Sequence, residues 1–141
     1  MRTRTIIVIA VLAAVAASGL YAWKEYERKP EGAGELSATE TLGAAELLKA
    51  FQQDEPSATA KFVGTTEQAV QVSGAIRAIE PTGESRVNVI LETGDALAGI
   101  VCEFATADVP LTWRAGAAVT VKGICTGMLL DVVLVRCAPV E

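Results

Sequence analysis

The residues best suited to chemistry in this sequence are its three cysteines. Cys102 lies in "AGIVCEF", and Cys125 and Cys137 lie in "VTVKGICTGMLLDVVLVRC", residues 119–137. A metal centre would need a fourth cysteine or a histidine. The chain has three cysteines and no histidine, and spacings of 23 and 12 residues contain no C-x-x-C pair. The absence of histidine also removes the commonest general base and every Ser-His or Cys-His nucleophile pair. A reactive thiol needs a nearby cation or helix N-terminus to lower its pKa, and Cys125 has only Lys122 close by in sequence. Asp54 and Glu55 form a second candidate, a carboxylate pair. They stand just before Pro56, where acidic residues favour a helix start through the dipole, so they read as structural. No catalytic residue, metal or cofactor is expected, and the chain reads as a non-enzyme. For the cysteines a structural staple is expected, with thiol redox chemistry as the alternative.

The elements that must carry these residues are mostly strands. From Thr66 the apolar period is 2: "AVQVSGAIRAI", "RVNVILE" and "AGIVCEF" are joined by the short turns "EPTGES" and "ETGDAL". The insert "ATADVPLTWRAG" separates them from "AVTVKGIC" and "DVVLVRC", which are joined by "TGMLL". Five strands with the break after the third predict an all-β fold, a five-stranded OB-fold barrel. Gly74 and Gly123 fall inside strands, where such a barrel bends or bulges. Before the strands, "TLGAAELLKAFQQDEPSATAKFVG" predicts a packing helix capped at Thr41, with Leu47, Leu48 and Phe51 on one face. A second helical stretch enters through Pro56 and ends at Gly64.

Strand alternation groups Cys102 with Ile100 and Phe104, Cys125 with Val119 and Val121, and Cys137 with Val133 and Val135. All three then face the barrel interior. In an OB topology the third and fifth strands are adjacent and parallel. This favours a disulfide between Cys102 and Cys137 with Cys125 free, although either other pairing remains open.

The N-terminal part is of a different kind. "TIIVIAVLAAVAASGLYAW", residues 5–23, runs 19 residues without a charge. As a helix it would reach roughly 28 Å, enough for the hydrocarbon core of a bilayer. Tyr21 and Trp23 suit the headgroup layer at its end. Ala14-Val15-Ala16 and Ala16-Ala17-Ser18 offer small residues to a signal peptidase. Cleavage there would leave an apolar "SGLYAW" on the mature chain, so an uncleaved anchor is expected. The expected organisation is a cytoplasmic tail over 1–4, a transmembrane helix or signal anchor over 5–23, a flexible tether over 24–40, and the helix and barrel over 41–141, outside the membrane. The formal net charge is −5, and residues from 31 onward hold 7 Lys and Arg against 15 Asp and Glu. An excess of eight acids is a poor surface for nucleic acid.

The helix "AAELLKAFQQDEPSATAKFVGTTEQAVQVSGAI", the strand "VCEF" and the motif "VTVKGICTGMLLDVVLVRC" together resemble the tRNA-anti-like family of OB-fold domains over about residues 44–137, roughly two thirds of the chain. The specific part is Lys122-Gly123, Cys125-Thr126-Gly127 and Asp131 to Leu134. Pro56 departs from the resemblance, because it falls where such a helix would ordinarily continue. The resemblance implies a bacterial envelope protein, here in the inner membrane with its domain on the periplasmic or extracytoplasmic side. The family's name implies nucleic-acid binding by analogy. A single-strand-binding OB-fold pairs a basic groove with aromatic platforms. Here Phe104 and Trp113 are explained by packing, and the basic residues Arg77, Arg86, Arg114, Lys122 and Arg136 are scattered. The reading is therefore a membrane-anchored binding module for a protein partner or small ligand, engaged through loops such as 80–85 and 126–130, with Leu129 and Leu130 as the contact tip.

Overall fold

The computed structural model describes residues 2–26, 32–66 and 68–140. The chain divides into two units, residues 1–30 and 31–141.

The first unit is the helix α1, Arg2–Tyr26, whose described side chains are all exposed. Within Thr3–Lys24 an 18-residue stretch reaches a mean hydropathy of 2.3, and the helix is long and apolar enough to cross a membrane. The expected span over 5–23 lies inside it. Arg2 to Arg4 belong to the same helix, and Met1 lies outside the described residues.

The second unit is built on five strands: β2 Ala69–Thr82, β3 Arg86–Leu91, β4 Ile100–Ala105, β5 Ala118–Met128 and β6 Val132–Val140. Within the barrel the long strand β2 serves two neighbours, pairing with β5 over residues 69–75 and with β3 over residues 76–82, antiparallel in both cases. Strands β3 and β4 form the next antiparallel pair, and β5 and β6 the last. A parallel seam between β4 and β6 closes the barrel. This is the expected all-β, five-stranded OB-fold barrel with a helix ahead of it. Alternation sends Val70, Val72, Val87, Val89, Leu91, Ile100, Cys102, Phe104, Val121 and Leu134 into one apolar core, because a period of 2 puts every second residue on the inner face.

Both barrel ends are plugged. At one end α2, Ala44–Gln53, buries Leu47, Leu48 and Phe51. A short helix α3, Glu55–Ala58, then runs on as a wider π-type coil over Thr59–Val63 and brings Phe62 to 6.0 Å from the Phe51 ring. Asp54 caps α3 as a structural acid, its Oδ1 accepting from the Ser57 N–H at 3.1 Å. Pro56 sits at the start of α3, where its missing N–H is no loss. The coil ends at Gly64, whose φ of 65° suits a residue without Cβ. At the opposite end the insert folds back so that Trp113 meets Phe104 edge-on, ring centroids 5.6 Å apart.

Three expectations need correction. The tether over 24–40 is not free chain where it is described. Lys24 belongs to α1, Ala33–Glu35 form a 3-10 turn, and Ala38–Gly43 form a further strand, β1, parallel to β2. Ala33 is fully buried with Ala69 and Ile124 in a small second core flanked by Leu36 and Val135. The Lys122 ammonium donates to the Leu36 carbonyl at 3.0 Å. Residues 27–31 lie outside the described residues. Second, Thr41 is in β1, and Gly43 is the helix cap, its N–H held by Glu46 Oε2 at 3.3 Å. Third, Cys137 does not share a face with Val133 and Val135. A bulge shifts the β5–β6 register opposite Gly123, where Arg136 takes φ 52°, and the shift brings Leu134 and Cys137 to the interior together.

The two strand glycines serve close approach. Gly74 lets α2 sit down on the sheet, since a Cβ there would lie 3.1 Å from the Ala44 Cβ. At Gly123 a Cβ would stand 2.6 Å from Cys137 Sγ and 2.9 Å from the Leu134 Cβ. We expect Gly123→Ala to cost about 1 to 3 kcal/mol through overpacking. Adding Cys137→Ala should return part of that loss by removing the sulfur. Urea denaturation of the single and double variants measures it, and equal loss in both would show that the sulfur is not what fills the hollow.

Candidate functional site

Cys102 and Cys137 come together as the topology predicts, but as thiols. Cys102, Cys125 and Cys137 are all buried and all free. On the seam Cys102 is in register with Leu134, and Leu134 is also the β5-side partner of Cys125, so Leu134 stands between these two. The Cys137 thiol lies next to Cys102. That contact, followed by complete burial, raises the Cys102 pKa well above the ordinary thiol value. Burial also raises Cys125. Neither thiol has the lowered pKa that nucleophilic or redox chemistry requires. Among the described residues no group of His, Cys, Asp and Glu could hold a metal ion.

The outer face of the sheet is the surface on which an OB barrel presents itself to ligands. The register runs a half-buried aliphatic row across four strands, Ala78 to Ile90 to Val101 to Val133. Beside it runs a polar row, Glu80 to Asn88 to Glu103. Arg86 reaches over to Glu103 at 3.1 Å. No aromatic side chain stands on these rows: Phe104 points inward, and Trp113 packs on it.

At the end where α2 plugs the barrel, two loops are joined. The loop 92–99 and the hairpin 129–131 share a pair of hydrogen bonds: Gly99 N–H donates to Asp131 Oδ1 at 2.7 Å, and Val132 N–H donates to the Gly99 carbonyl at 3.1 Å. Within the loop, Leu97 N–H donates to Asp95 Oδ1 at 2.8 Å and the Thr93 hydroxyl donates to the Ala98 carbonyl at 2.7 Å. Arg77 lies beneath it. Its Nε donates to Glu92 Oε2 at 3.0 Å, and its Nη2 donates to Glu92 Oε1 and, at 2.6 Å, to the Asp95 carbonyl. The guanidinium, with help from the Gly94 N–H, holds Glu92 at a pKa of about 2. The Leu97 N–H, and then Gln52, lower Asp95. On this rigid base three leucines point into solvent: Leu97 is 81% exposed, Leu129 96% and Leu130 68%. Leu129 and Leu130 were legible as a tip. Leu97 was not, because "ETGDAL" reads only as a turn, and its signal was a leucine between loop-forming Asp and Gly residues.

A sequence model of the tRNA_anti-like family matches residues 1–138. The chain belongs to the tRNA_anti-like family. No curated protein matches its sequence. Among solved structures it is similar to the "putative nucleic acid-binding lipoprotein" of Klebsiella pneumoniae, at 16% identity and a TM-score of 0.56, over 80% of this chain and all of that one. It is also similar to yeast Stn1 and Ten1, at 13% identity and a TM-score of 0.46, over 74% and 64% of the two chains. The first of these likenesses is one of fold. What this tRNA_anti-like barrel has beyond the fold is the pinned leucine tip and the buried thiol pair.

The Arg77–Glu92 contact makes a pH prediction. Glu92 falls from an ordinary 4.5 to about 2 in the folded protein. Its contribution is therefore complete above pH 4.5 and is lost as the pH falls from there towards 2. Glu92→Gln should be less stable at pH 7 and should show a shallower fall in melting temperature between pH 4.5 and 2. Parallel curves for parent and variant would mean that the pair adds nothing to folding.

Proposed function

We propose that this protein is a membrane-anchored OB-fold binding module of the bacterial envelope. In this reading it is not an enzyme. Residues 5–23 hold it in the inner membrane, the barrel stands on the periplasmic side, and a protein partner or small ligand is engaged through the barrel loops. The observation that carries the proposal is the exposure of Leu129 and Leu130 on a hairpin fixed by hydrogen bonds, next to an outer face with no base-stacking aromatic. Substituting both leucines with Ser should abolish recovery of the protein's partners in a pull-down while leaving the melting temperature unchanged. Unaltered recovery removes the tip from the proposal.

The name of the Klebsiella protein supports a second reading, binding of single-stranded nucleic acid. Two features oppose it in this chain. Seven bases face fifteen acids from residue 31 onward, and Arg77 and Arg86 are each paired with a glutamate. A labelled oligonucleotide, tested beside the pull-down at low salt, should form no complex. A salt-sensitive complex would put the nucleic-acid reading first. Thiol redox function is opposed by three buried thiols.

In the periplasm the thiol pair has a structural use. Exchange with an incoming disulfide would oxidise Cys102 and Cys137. The two thiols together lose two protons and two electrons, the sulfurs bond, and the donor leaves as a dithiol. Linking residues 102 and 137 would stabilise the fold by ~3 to 4 kcal/mol on the chain-entropy model. Alkylation before and after reduction, with peptide mapping on protein from native membranes, should give one free thiol, at Cys125, and one linked pair. Three free thiols would overturn both the staple and the periplasmic side.

A further inference from the structure

The tip proposed above carries more than exposed leucines, and its surroundings define what it fits. Leu97, Leu129 and Leu130 come from two loops whose backbones are bonded to each other and to their own side chains, so the apolar groups are displayed in fixed positions. Their exposed apolar area sums to on the order of several hundred Å², comparable with the largest apolar patch of a typical monomer, which is often functional. Around the three leucines acids predominate. Neither residues 92–99 nor residues 126–131 contain a Lys or Arg, whereas Glu92, Asp95 and Asp131 all lie within them. Arg77 sits below and is taken up by Glu92 and the Asp95 carbonyl. Gln52 Nε2 donates to Asp95 Oδ2 at 3.2 Å, which brings the end of α2 alongside; Lys49 lies one turn before Gln52, and Asp54 and Glu55 follow it in sequence. The leucines therefore stand inside an acidic collar.

The collar discriminates among occupants. An anionic lipid surface would meet carboxylates at the moment the leucines reached it. A second copy of the chain would bring the same collar, like against like. A protein groove with an apolar floor and basic rim matches both features. We infer that the loops 92–99 and 126–131 form a docking tip for a protein partner whose receiving surface is an apolar groove rimmed by Lys and Arg. The inference rests on the tip reading above and adds the partner's chemistry.

The test uses the full chain in its native membranes, with a benzophenone side chain placed in turn at Leu97, Leu129 and Leu130. Leu111, a fully exposed leucine of the insert, serves as control. The three tip positions should crosslink to one and the same polypeptide, and Leu111 should not. The attachment sites, mapped by mass spectrometry, should be apolar residues neighboured by Lys or Arg. Yield should fall by about 3-fold or more between roughly 0.05 and 0.5 M salt, because the Debye length contracts over that range. Asp95→Asn keeps an oxygen for the Leu97 N–H while removing the charge, and it should lower the yield at low salt; because the Leu97 N–H and Gln52 favour the ionised Asp95, the melting temperature should also fall modestly, and yields are compared well below it. A polypeptide adduct on a surface without basic residues, or a yield indifferent to both salt and Asp95→Asn, overturns the partner chemistry and leaves the tip reading standing. Adducts to lipid, to a second copy or to nothing overturn both.

Discussion

The architecture hangs on the parallel seam between β4 and β6, a ladder of three residue pairs: Ile100 with Val132, Val101 with Val133, and Cys102 with Leu134. Without it the strands make an open, curled sheet with two edges and no enclosed core. Parallel pairing is slightly weaker per residue than antiparallel, and a ladder this short needs reinforcement from its surroundings. It is reinforced on every side. Leu134 is fully buried between Cys102 and Cys125, and Cys137 touches Cys102 just beyond the last pair. At the first pair the Asp131 carboxylate holds the Gly99 N–H. The thiol pair and the loop end thus have one structural cause, since both brace the place where the sheet meets itself.

The same seam organises the surface. Because Val101 and Val133 are in register across it, the aliphatic row on the outer face continues unbroken from β3 to β6. Because Asp131 ties the hairpin to the loop 92–99, leucines from two distant parts of the sequence are carried on loops bonded to each other. A barrel of this kind owes its ligand class to what its outer face and loops carry, and the fold leaves that open. Here the outer face carries aliphatic and paired charged groups, and the loops carry leucine and carboxylate.

How much of this the sequence revealed follows from which signals are local. The five barrel strands were legible because the inner face of each is apolar and the outer face is mixed, which writes a period of 2 into the chain. The helix α2 was legible from Leu47, Leu48 and Phe51, and its successor from Asp54 and Pro56. Strand β1 was not, because "ATETLG" is an edge strand with five polar or small residues and one leucine, without apolar alternation, and its pairing with β2 is a tertiary fact. The facing of Cys137 was misread for a related reason. Alternation keeps its phase only until a bulge, and Arg136 in a left-handed conformation gives no sequence signal as a glycine would. The adjacency of Cys102 and Cys137 still followed from topology alone. The acidic collar was invisible because Arg77 comes from strand β2 while Glu92, Asp95 and Asp131 come from two separate connections.

The order in which the barrel is made follows from its wiring. The plug formed by α2 and α3 precedes every barrel strand, while the strand that completes both β5 and the β4 seam is β6, the last of the set. As the chain emerges from the machinery that makes or threads it, the apolar face of α2 is available long before there is a closed core to receive it. Closure must wait until β6 is free. The intervening state exposes the unpaired edge of β4 and the inner faces of a half-built sheet, the kind of species that aggregates or recruits a chaperone.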